Sequence, residues 1–222
     1  MIIGHFSDLH GHLNWLDPAL QARGLPDVWV CSGDFFPSRT RGIASEEIPF
    51  QTRWFGYKSQ SIIRRLGGRP LIWCPGNHDY VSLARLLTIL GYPAHDLMHG
   101  VAALGDHRFV GLREVPWLDG EWAGEARDLQ LATDRALAQD PTILVAHCPP
   151  AGTLDLCGED GEPNGRIGNP ALARALSSGR HRIRWVLSGH VHEQGGQREA
   201  IGGLDHPVDV VNSATTVQFI EV

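Results

Sequence analysis

The chain begins with MIIGHFSDLH (1–10), where an apolar run leads directly into Asp8 and His10. The run Met1–Ser7 predicts a buried β-strand, because it is short, rich in β-branched and aromatic residues, and followed by polar ones. In an extended segment, side chains two residues apart point in the same direction. We therefore expect Asp8 and His10 to offer two donor atoms to one point at the end of this strand.

Four more apolar runs end in a polar turn of the same kind. Each is short enough for a strand and is followed closely by Asp, Asn or His. Because ligand sites in open α/β folds form outside the carboxyl ends of strands, we expect the five turns to meet at one rim. The further pairs of strand and turn are Asp27–Cys31 with Gly33-Asp34, Arg69–Cys74 with Gly76-Asn77-His78-Asp79, Thr142–Ala146 with His147, and Ile183–Leu187 with Gly189-His190-Val191-His192.

Each turn taken alone has an ordinary structural explanation. A lone Asp-x-His pair is typical of a surface or capping motif, and Gly33-Asp34 of a turn or helix cap. A lone His147 after an apolar strand is typical of a hydrogen-bonded structural histidine, and Asn77 or Asp79 could cap a helix. The occurrence of all five turns in order, each at a strand end, favours one shared site.

The donor atoms of this site are nitrogen and oxygen, and no thiolate is required. Gly33, Gly76 and Gly189 each precede a candidate ligand, which permits tight turns and a close approach of the backbone to a buried ion. Mixed imidazole and carboxylate ligation suits Mn, Fe, Zn, Co or Ni better than Mg or Ca. A carboxylate that bridges two such ions sets them about 3.5–4 Å apart, the spacing that activates water and binds a phosphoryl group.

The remaining pattern predicts a layered α/β fold with mixed sheets, in a single domain that spans residues 1–222. Amphipathic periodicity predicts helices between the strands, and β-rich runs without intervening helices predict further strands. The predicted helices are Leu13–Arg23, Glu46–Leu66, Val81–Leu90, Glu125–Gln139 and Pro170–Ser178. The further strands are His99–Leu104, His107–Gly111, Val208–Val211 and Thr216–Glu221.

Composition excludes several classes of function. The net charge is −6 without a run of Lys or Arg, which argues against binding of long nucleic acid but not of a nucleotide. No apolar stretch approaches the roughly 18 residues of a membrane span. The four cysteines form no CxxC pair and suit buried, reduced side chains, so we expect a cytoplasmic protein. Nothing in the composition predicts the oligomeric state.

The ordered motifs D-x-H, GD, GNHD, H and GHxH, which run from Asp8 to His192, resemble those of the calcineurin-like metallophosphoesterases. The resemblance implies a four-layer α/β/β/α sandwich, in which two mixed sheets are flanked by helices. It also implies two divalent transition-metal ions, with Mn favoured, and a ligand for every family position. Asp8, His10 and His192 would hold the first ion, Asp34 would bridge, and Asn77, His147 and His190 would complete the second.

The implied activity is hydrolysis of a small phosphoester. A hydroxide that bridges the two metals would attack phosphorus, and His78 would act as the catalytic residue by contacting phosphate or donating a proton. The segment His147–Asp155, read with Arg166, is similar to a small branch of phosphodiesterases that act on cyclic nucleotides and aromatic diesters. A phosphodiesterase for nucleotide-type or other small diesters is therefore the first hypothesis.

Two loops are candidates for the walls of the pocket. Phe35–Phe55 contains Trp54, which could stack on a base or aromatic group but could equally be a core residue of an amphipathic helix. Cys157–Arg166 has the composition of a lid, or of a plain surface loop, and Arg166 is a candidate phosphate contact. The alternatives to a diesterase are a phosphomonoesterase or nuclease on the same centre, and a metal-binding interaction module without turnover.

Overall fold

The computed structural model describes residues 1–40, 42–118, 120–158, 165–202 and 206–222. Within these ranges it contains thirteen strands, most of them short and buried. They are β1 Ile2–Phe6, β2 Val28–Cys31, β3 Leu71–Trp73, β4 Ala94–Asp96, β5 Ala102–Leu104, β6 His107–Leu112, β7 Val115–Pro116, β8 Glu125–Ala126, β9 Ile143–Ala146, β10 Trp185–Ser188, β11 Arg198–Ile201, β12 Val208–Asn212 and β13 Val217–Glu221.

Five α-helices and two short 3₁₀ helices connect these strands. Side chains cap two of the α-helices: the Ser82 hydroxyl accepts from the Arg85 amide at 3.1 Å, and the Asn169 side chain accepts from the Leu172 amide at 3.0 Å. The α-helices are α1 Leu16–Arg23, α2 Ala44–Leu66, α3 Leu83–Ile89, α4 Gln130–Leu137 and α5 Pro170–Ser177, and the 3₁₀ helices are Leu13–Trp15 and His192–Gln194.

The strands form two large mixed sheets and one small ribbon. The five-stranded sheet has the order β13-β1-β2-β3-β4, with β13 antiparallel to β1 and the other pairs parallel. The six-stranded sheet has the order β11-β12-β10-β9-β6-β5, and its four central strands are parallel. Strands β7 and β8 pair with each other only.

Alternating side chains divide each central strand between two apolar layers. In β2, Val28 and Val30 join the layer between the two sheets, whereas Trp29 and Cys31 join the layer under the helices. Strand β9 divides in the same way: Ile143 and Val145 face the other sheet, and Leu144 and Ala146 pack with residues of α4 and α5. Apolar runs covered on both faces are typical of such sheets. The four-layer α/β/β/α prediction is confirmed.

The differences from the prediction lie where the local pattern is weak. The predicted helix Glu125–Gln139 begins only at Gln130, because Glu125–Ala126 pairs as β8 and the Asp128 carboxylate accepts the Gln130 amide at 2.9 Å. Four strands were not predicted, namely β4, β7, β8 and β11, and they are two to four residues long. In the part of the chain that is described, no helix has the length and apolar character needed to cross a membrane.

Candidate metal centre

Strands β1, β2 and β3 of one sheet and β9 and β10 of the other all end at the same edge of the sandwich. All seven predicted ligands follow these ends, and the structure brings them together. Donor atoms of Asp8, His10 and His192 lie within 4.8 Å of one another, and so do those of Asp8, Asp34 and His147. The prediction that five separate turns meet at one rim is confirmed in its geometry.

The backbone reaches this geometry by a route that the sequence pattern did not predict. Asp8, His10, Asp34 and His190 have positive φ angles of 55°, 44°, 50° and 67°. Non-glycine residues rarely adopt this left-handed conformation, and where they do it commonly marks a functional site. The expectation that Asp8 and His10 converge because they lie on an extended strand is therefore wrong. Strand β1 ends at Phe6, and the two ligands converge through a left-handed turn.

The first group of donors surrounds Asp8, which is fully buried. Its Oδ1 lies 3.3 Å from His192 Nε2 and 4.0 Å from His10 Nε2, and the two imidazole nitrogens are 3.4 Å apart. Its Oδ2 accepts the backbone N–H of His190 at 2.9 Å, which fixes the orientation of the carboxylate. One oxygen of Asp8 is thus held by the protein, and the other faces two imidazoles.

The second group of donors surrounds Asp34, whose Oδ2 lies 3.4 Å from His147 Nε2. His147 Nε2 is also 2.9 Å from Asn77 Oδ1. The other ring nitrogen of His147 donates to the Ser32 carbonyl at 2.8 Å, and this bond directs Nε2 into the site. When Nδ1 carries the proton of a neutral ring, Nε2 presents a lone pair to two oxygen acceptors. His147 Nε2, Asp34 Oδ2 and Asn77 Oδ1 would then be three acceptors facing one another, which requires a shared cation or an additional proton between them.

The environment of His190 favours a bound cation over an additional proton at this site. Its ring centroid lies 5.0 Å from that of His147, and its buried Nε2 has no hydrogen-bond partner among the described residues. An imidazole nitrogen without a partner in a buried site is costly unless it ligates a metal. The donor set therefore fits divalent transition-metal ions, with Asp34 placed between the two groups.

His147 and His190, the two histidines of the second group, differ in pKa. Burial would lower the pKa of His147, but the carboxylates of Asp34 and Asp8 outweigh it and raise that pKa to about 9. Burial and the neighbouring His147 lower the pKa of His190 to about 4. The pKa of Asp34 stays well below its usual value, because the surrounding histidines outweigh its burial. Without metal at neutral pH, the His147 imidazole is protonated on both ring nitrogens and positively charged, whereas the His190 imidazole is neutral.

Supporting residues that the sequence reasoning did not assign hold the ligand turns in place. The buried Asp79 carboxylate accepts the backbone N–H groups of Phe35, Phe36 and Gly76 at 2.9–3.1 Å, and so ties the second turn to the third. The Asn212 amide donates to the carbonyls of Gly189 and Val191 at 3.2 and 3.0 Å, and so braces the turn that carries His190.

His5 connects these supports beneath the site. It is fully buried, and its two ring nitrogens bond the hydroxyls of Ser32 at 2.9 Å and Ser213 at 2.8 Å. Ser32 is the residue whose carbonyl holds His147, and Ser213 follows Asn212 in the chain. Burial lowers the pKa of His5 to about 3, so the ring is neutral and links the supports of His147 and His190. No local pattern distinguishes His5 from a core residue of β1.

A cavity of about 330 Å³ opens over the donors. Six of the ten residues that line it have a predicted role as a ligand or catalytic residue, and Cys157 belongs to a predicted pocket loop; Leu118, Trp122 and Glu193 were not predicted, and only Glu193, directly after His192, has a position in the sequence that could have revealed it. The described residues that line the cavity are His10, Asp34, Asn77, His78, Leu118, Trp122, Cys157, His190, His192 and Glu193. None of these ten is Lys or Arg.

His78 lies at the wall of this cavity, and one of its ring nitrogens is within 4.8 Å of donor atoms of His10 and Asp34. Its Nε2 is 3.9 Å from Asp34 Oδ2, and its Nδ1 bonds the Ser38 hydroxyl at 2.9 Å. Its backbone N–H donates to Asp34 Oδ1 at 2.7 Å, and its carbonyl accepts the Gln51 side chain at 2.6 Å. The ring is therefore positioned through both its backbone and its side chain, with Nε2 directed toward the centre.

The structure does not bring the two proposed substrate contacts to the cavity wall. Trp54 packs edge-on against Phe35 and Phe36 at centroid distances of 5.9 and 5.8 Å, so the core explanation of this residue is the correct one. Arg166 pairs with the buried carboxylate of Asp155, which directs its charge away from a phosphate role.

Each of the two predicted pocket loops has a described residue at the cavity or in contact with a residue that lines it. In the loop Phe35–Phe55, Ser38 reaches His78; Arg41, a basic residue of this loop that could attract phosphate, lies outside the described residues. In the loop Cys157–Arg166, Cys157 lines the cavity, and residues 159–164 lie outside the described residues, so the lid stays a prediction.

We predict that metal binding releases a proton from His147. Because the pKa of this residue is about 9 without metal, a divalent ion must displace the proton below that pH. Affinity for Mn²⁺ should therefore rise about tenfold per pH unit from neutral pH toward the pKa. Calorimetric titrations in buffers of different ionisation enthalpy measure the number of protons released. Affinity that does not change over this range would contradict the assignment of His147 as a ligand.

We also predict that Gly76→Ala lowers the metal content of the folded protein. Gly76 does not have a positive φ, but a Cβ there would overlap the Asp34 carboxylate and lie 2.7 Å from His147 Cε1. The Asp34 carboxylate would have to move, so metal content after gel filtration should fall. Gly56→Ala is the matched control, because a Cβ there meets nothing within 4 Å and a helical alanine stabilises by roughly 0.5–1 kcal/mol. Full metal content in Gly76→Ala would show that the close approach is dispensable.

Comparison with known proteins tests the resemblance. No protein with a curated description matches the sequence. One solved structure matches with a TM-score of 0.61 at 14% identity, over 99% of this chain and 98% of its own. The protein TT1561 of Thermus thermophilus matches with a TM-score of 0.56 at 14% identity, over 96% of this chain and 89% of its own. A 5′-nucleotidase precursor from the same organism has a TM-score of 0.51 at 14% identity, over 100% of this chain and 51% of its own.

Identities of this size show a shared fold alone. The family is shown instead by a sequence model, described as calcineurin-like phosphoesterase, which matches residues 1–194. That match spans most of the chain and includes all seven candidate ligands, from Asp8 to His192. The chain therefore belongs to the calcineurin-like phosphoesterase family.

Proposed function

We propose that the protein is a metal-dependent phosphodiesterase that acts on small, nucleotide-type diesters. The observation that carries the proposal is the charge of the cavity over the converged donors. Its described lining contains Glu193 but no Lys or Arg. A diester brings one negative charge to this wall and a monoester brings nearly two, so repulsion from Glu193 favours the diester. A 5′-nucleotidase precursor shares the fold, which supports a phosphoesterase but does not favour a diester over a monoester.

Two divalent transition-metal ions, with Mn favoured, would lower the pKa of bound water and withdraw charge from the phosphate oxygens. Asp34 would contact both ions, because its carboxylate lies between the two groups of donors. The residues that would hold the first ion are Asp8, His10 and His192, and those that would hold the second are Asn77, His147 and His190. The imidazole and carboxylate donors suit Mn, Fe, Ni, Zn or Co.

His78 is the proposed proton donor to the leaving oxygen. Its Nε2 faces the centre, while Ser38 occupies Nδ1 and so leaves only Nε2 for the substrate. A positioned imidazole of this kind contributes roughly 10²–10⁴-fold to the rate of proton-transfer steps. The benefit is greatest for alkoxide leaving groups, which are poor without protonation.

We predict that His78→Ala lowers kcat by about 10²-fold or more on a diester with an alkyl leaving group. The loss should be smaller on bis-p-nitrophenyl phosphate, because p-nitrophenolate leaves without a proton. Metal content measured by elemental analysis should not change. His12→Ala is the matched control, since His12 is exposed and stacks on Trp15 at a centroid distance of 4.9 Å. Equal loss on the two substrates would exclude proton donation by His78.

We predict that bis-p-nitrophenyl phosphate is hydrolysed faster than p-nitrophenyl phosphate, and that short DNA is the poorest of the three substrates. The variant Glu193→Gln removes the charge but keeps an acceptor for the Gly158 amide, which donates to Glu193 at 3.2 Å. Monoester turnover should then rise relative to diester turnover by roughly fivefold, the effect of about 1 kcal/mol of repulsion. A rate ratio that does not respond to Glu193→Gln would remove the electrostatic basis of the proposal.

The other hypotheses differ in the outcome of the same assays. Faster turnover of the monoester would favour a phosphomonoesterase, and faster turnover of DNA a nuclease. Metal-loaded protein that hydrolyses none of them would favour a metal-binding interaction module. We further propose a cytoplasmic location, which is supported by four cysteines without a disulfide, and a small phosphoester, such as a nucleotide-type diester, as the substrate.

A further inference from the structure

We propose that Leu118 and Trp122 form a leaving-group wall that selects substrates with a flat, aromatic leaving group. This inference rests on the proposed function, because it assigns one side of the same cavity to one part of the diester. The two residues lie between β7 and β8, in a segment that carries none of the metal-ligand motifs.

The wall stands directly beside the proposed proton donor. The Trp122 ring packs on the His78 ring at a centroid distance of 4.1 Å and an interplanar angle of 36°. Leu118 lines the same cavity and is 46% exposed. Apolar side chains that remain accessible at a cavity wall gain by covering an apolar part of a ligand. An indole face gains most from a planar group, on which it can stack.

Contacts with the metal centre hold the wall in position. The Ala123 amide, next to Trp122, donates to the carbonyl of the metal-ligand candidate Asn77 at 3.1 Å. At the base of the segment, the Arg127 guanidinium lies 4.0 Å from the centroid of the Trp117 ring. A wall that is already ordered loses little entropy when a substrate binds, so its contacts contribute to selectivity.

Another part of the cavity lining differs in chemistry. Cys157 and Glu193 line it, and the Cys157 thiol bonds Glu193 Oε1 at 3.6 Å. This side is polar and acidic, whereas the wall of Leu118 and Trp122 is apolar. A diester with one aromatic and one polar ester group would therefore bind in a single orientation, with its aromatic group against Trp122.

This orientation agrees with the direction of the reaction. The oxygen of water forms the new bond to phosphorus and loses a proton to solvent, while the bond from phosphorus to the leaving oxygen breaks. His78 transfers its proton to that oxygen, and solvent restores the proton to His78. The products are a phosphomonoester and an aromatic alcohol. When His78 protonates the leaving oxygen, the group attached to that oxygen lies beside Trp122, because the Trp122 ring packs on the His78 ring.

The test compares two methyl phosphodiesters whose leaving groups have similar acidity but different shape, such as 4-chlorophenol and hexafluoroisopropanol. Holding the acidity constant separates stacking from the intrinsic reactivity of the ester. We expect Trp122→Ala to lower kcat/KM for the aryl diester by about tenfold to a hundredfold, as removal of a stacking ring does elsewhere. The value for the fluoroalkyl diester should fall by about threefold or less, and Trp122→Phe should retain most of the aryl preference.

Trp15→Ala is the matched control, because Trp15 stacks on His12 as Trp122 does on His78 but lies outside the described lining of the cavity. It should leave the aryl-to-alkyl ratio unchanged. Equal loss on both diesters in Trp122→Ala would mean that Trp122 only positions His78, and would overturn the wall. If the metal-loaded wild-type protein hydrolyses neither diester, the proposed function fails, and the wall fails with it.

Discussion

The buried charge of Asp34 is the constraint on which the rest of the structure depends. Its side chain is nearly inaccessible to solvent, and an isolated carboxylate in such a place costs far more than the fold can supply. The protein compensates with the His78 amide at 2.7 Å and with His147, whose pKa is raised in return. These contacts are possible only because Gly33 and Gly76 lack side chains: a Cβ on Gly33 would lie 2.6 Å from His147 Nδ1.

The same constraint explains why the ligand turns are strained. A left-handed conformation at a non-glycine residue costs about 1–3 kcal/mol, and four of the ligands adopt it. Backbone hydrogen bonds between turns offset this cost: the Asp8 amide donates to the Gly33 carbonyl and the His10 amide to the Asp34 carbonyl, both at 2.9 Å. The first two ligand turns are thus bonded to each other. Asn212 bonds the turn that carries His190, and His5 bonds Ser32, whose carbonyl positions His147. These hydrogen bonds position the ligand side chains through the protein's own backbone and supporting residues.

The sequence contains enough information to predict this centre, because each ligand is marked locally. An apolar run and a donor residue are close together in the chain at all five turns, with a glycine directly before the donor in three of them, and the topology of parallel strands brings their ends together. The supports of the ligands could not be predicted in the same way. His5 resembles any core residue of β1. Its partners Ser32 and Ser213 are 27 and 208 residues away in the chain, so these contacts exist only in the folded protein. Trp54 shows the reverse error, since its aromatic character suggests a pocket while its helical position places it in the core.

The substrate side of the site follows a different logic from the metal side. Converging strands fix the ligands, whereas the cavity walls come from segments with little regular structure, such as the residues between β7 and β8. Trp122 could not be recognised from its neighbours in sequence, because the ribbon that carries it has only two residues in each strand. The metal centre can supply the same chemistry to any phosphoester, so selectivity has to arise from these walls. In this chain the walls differ in charge and polarity, and their contrast is what favours one substrate orientation over the other.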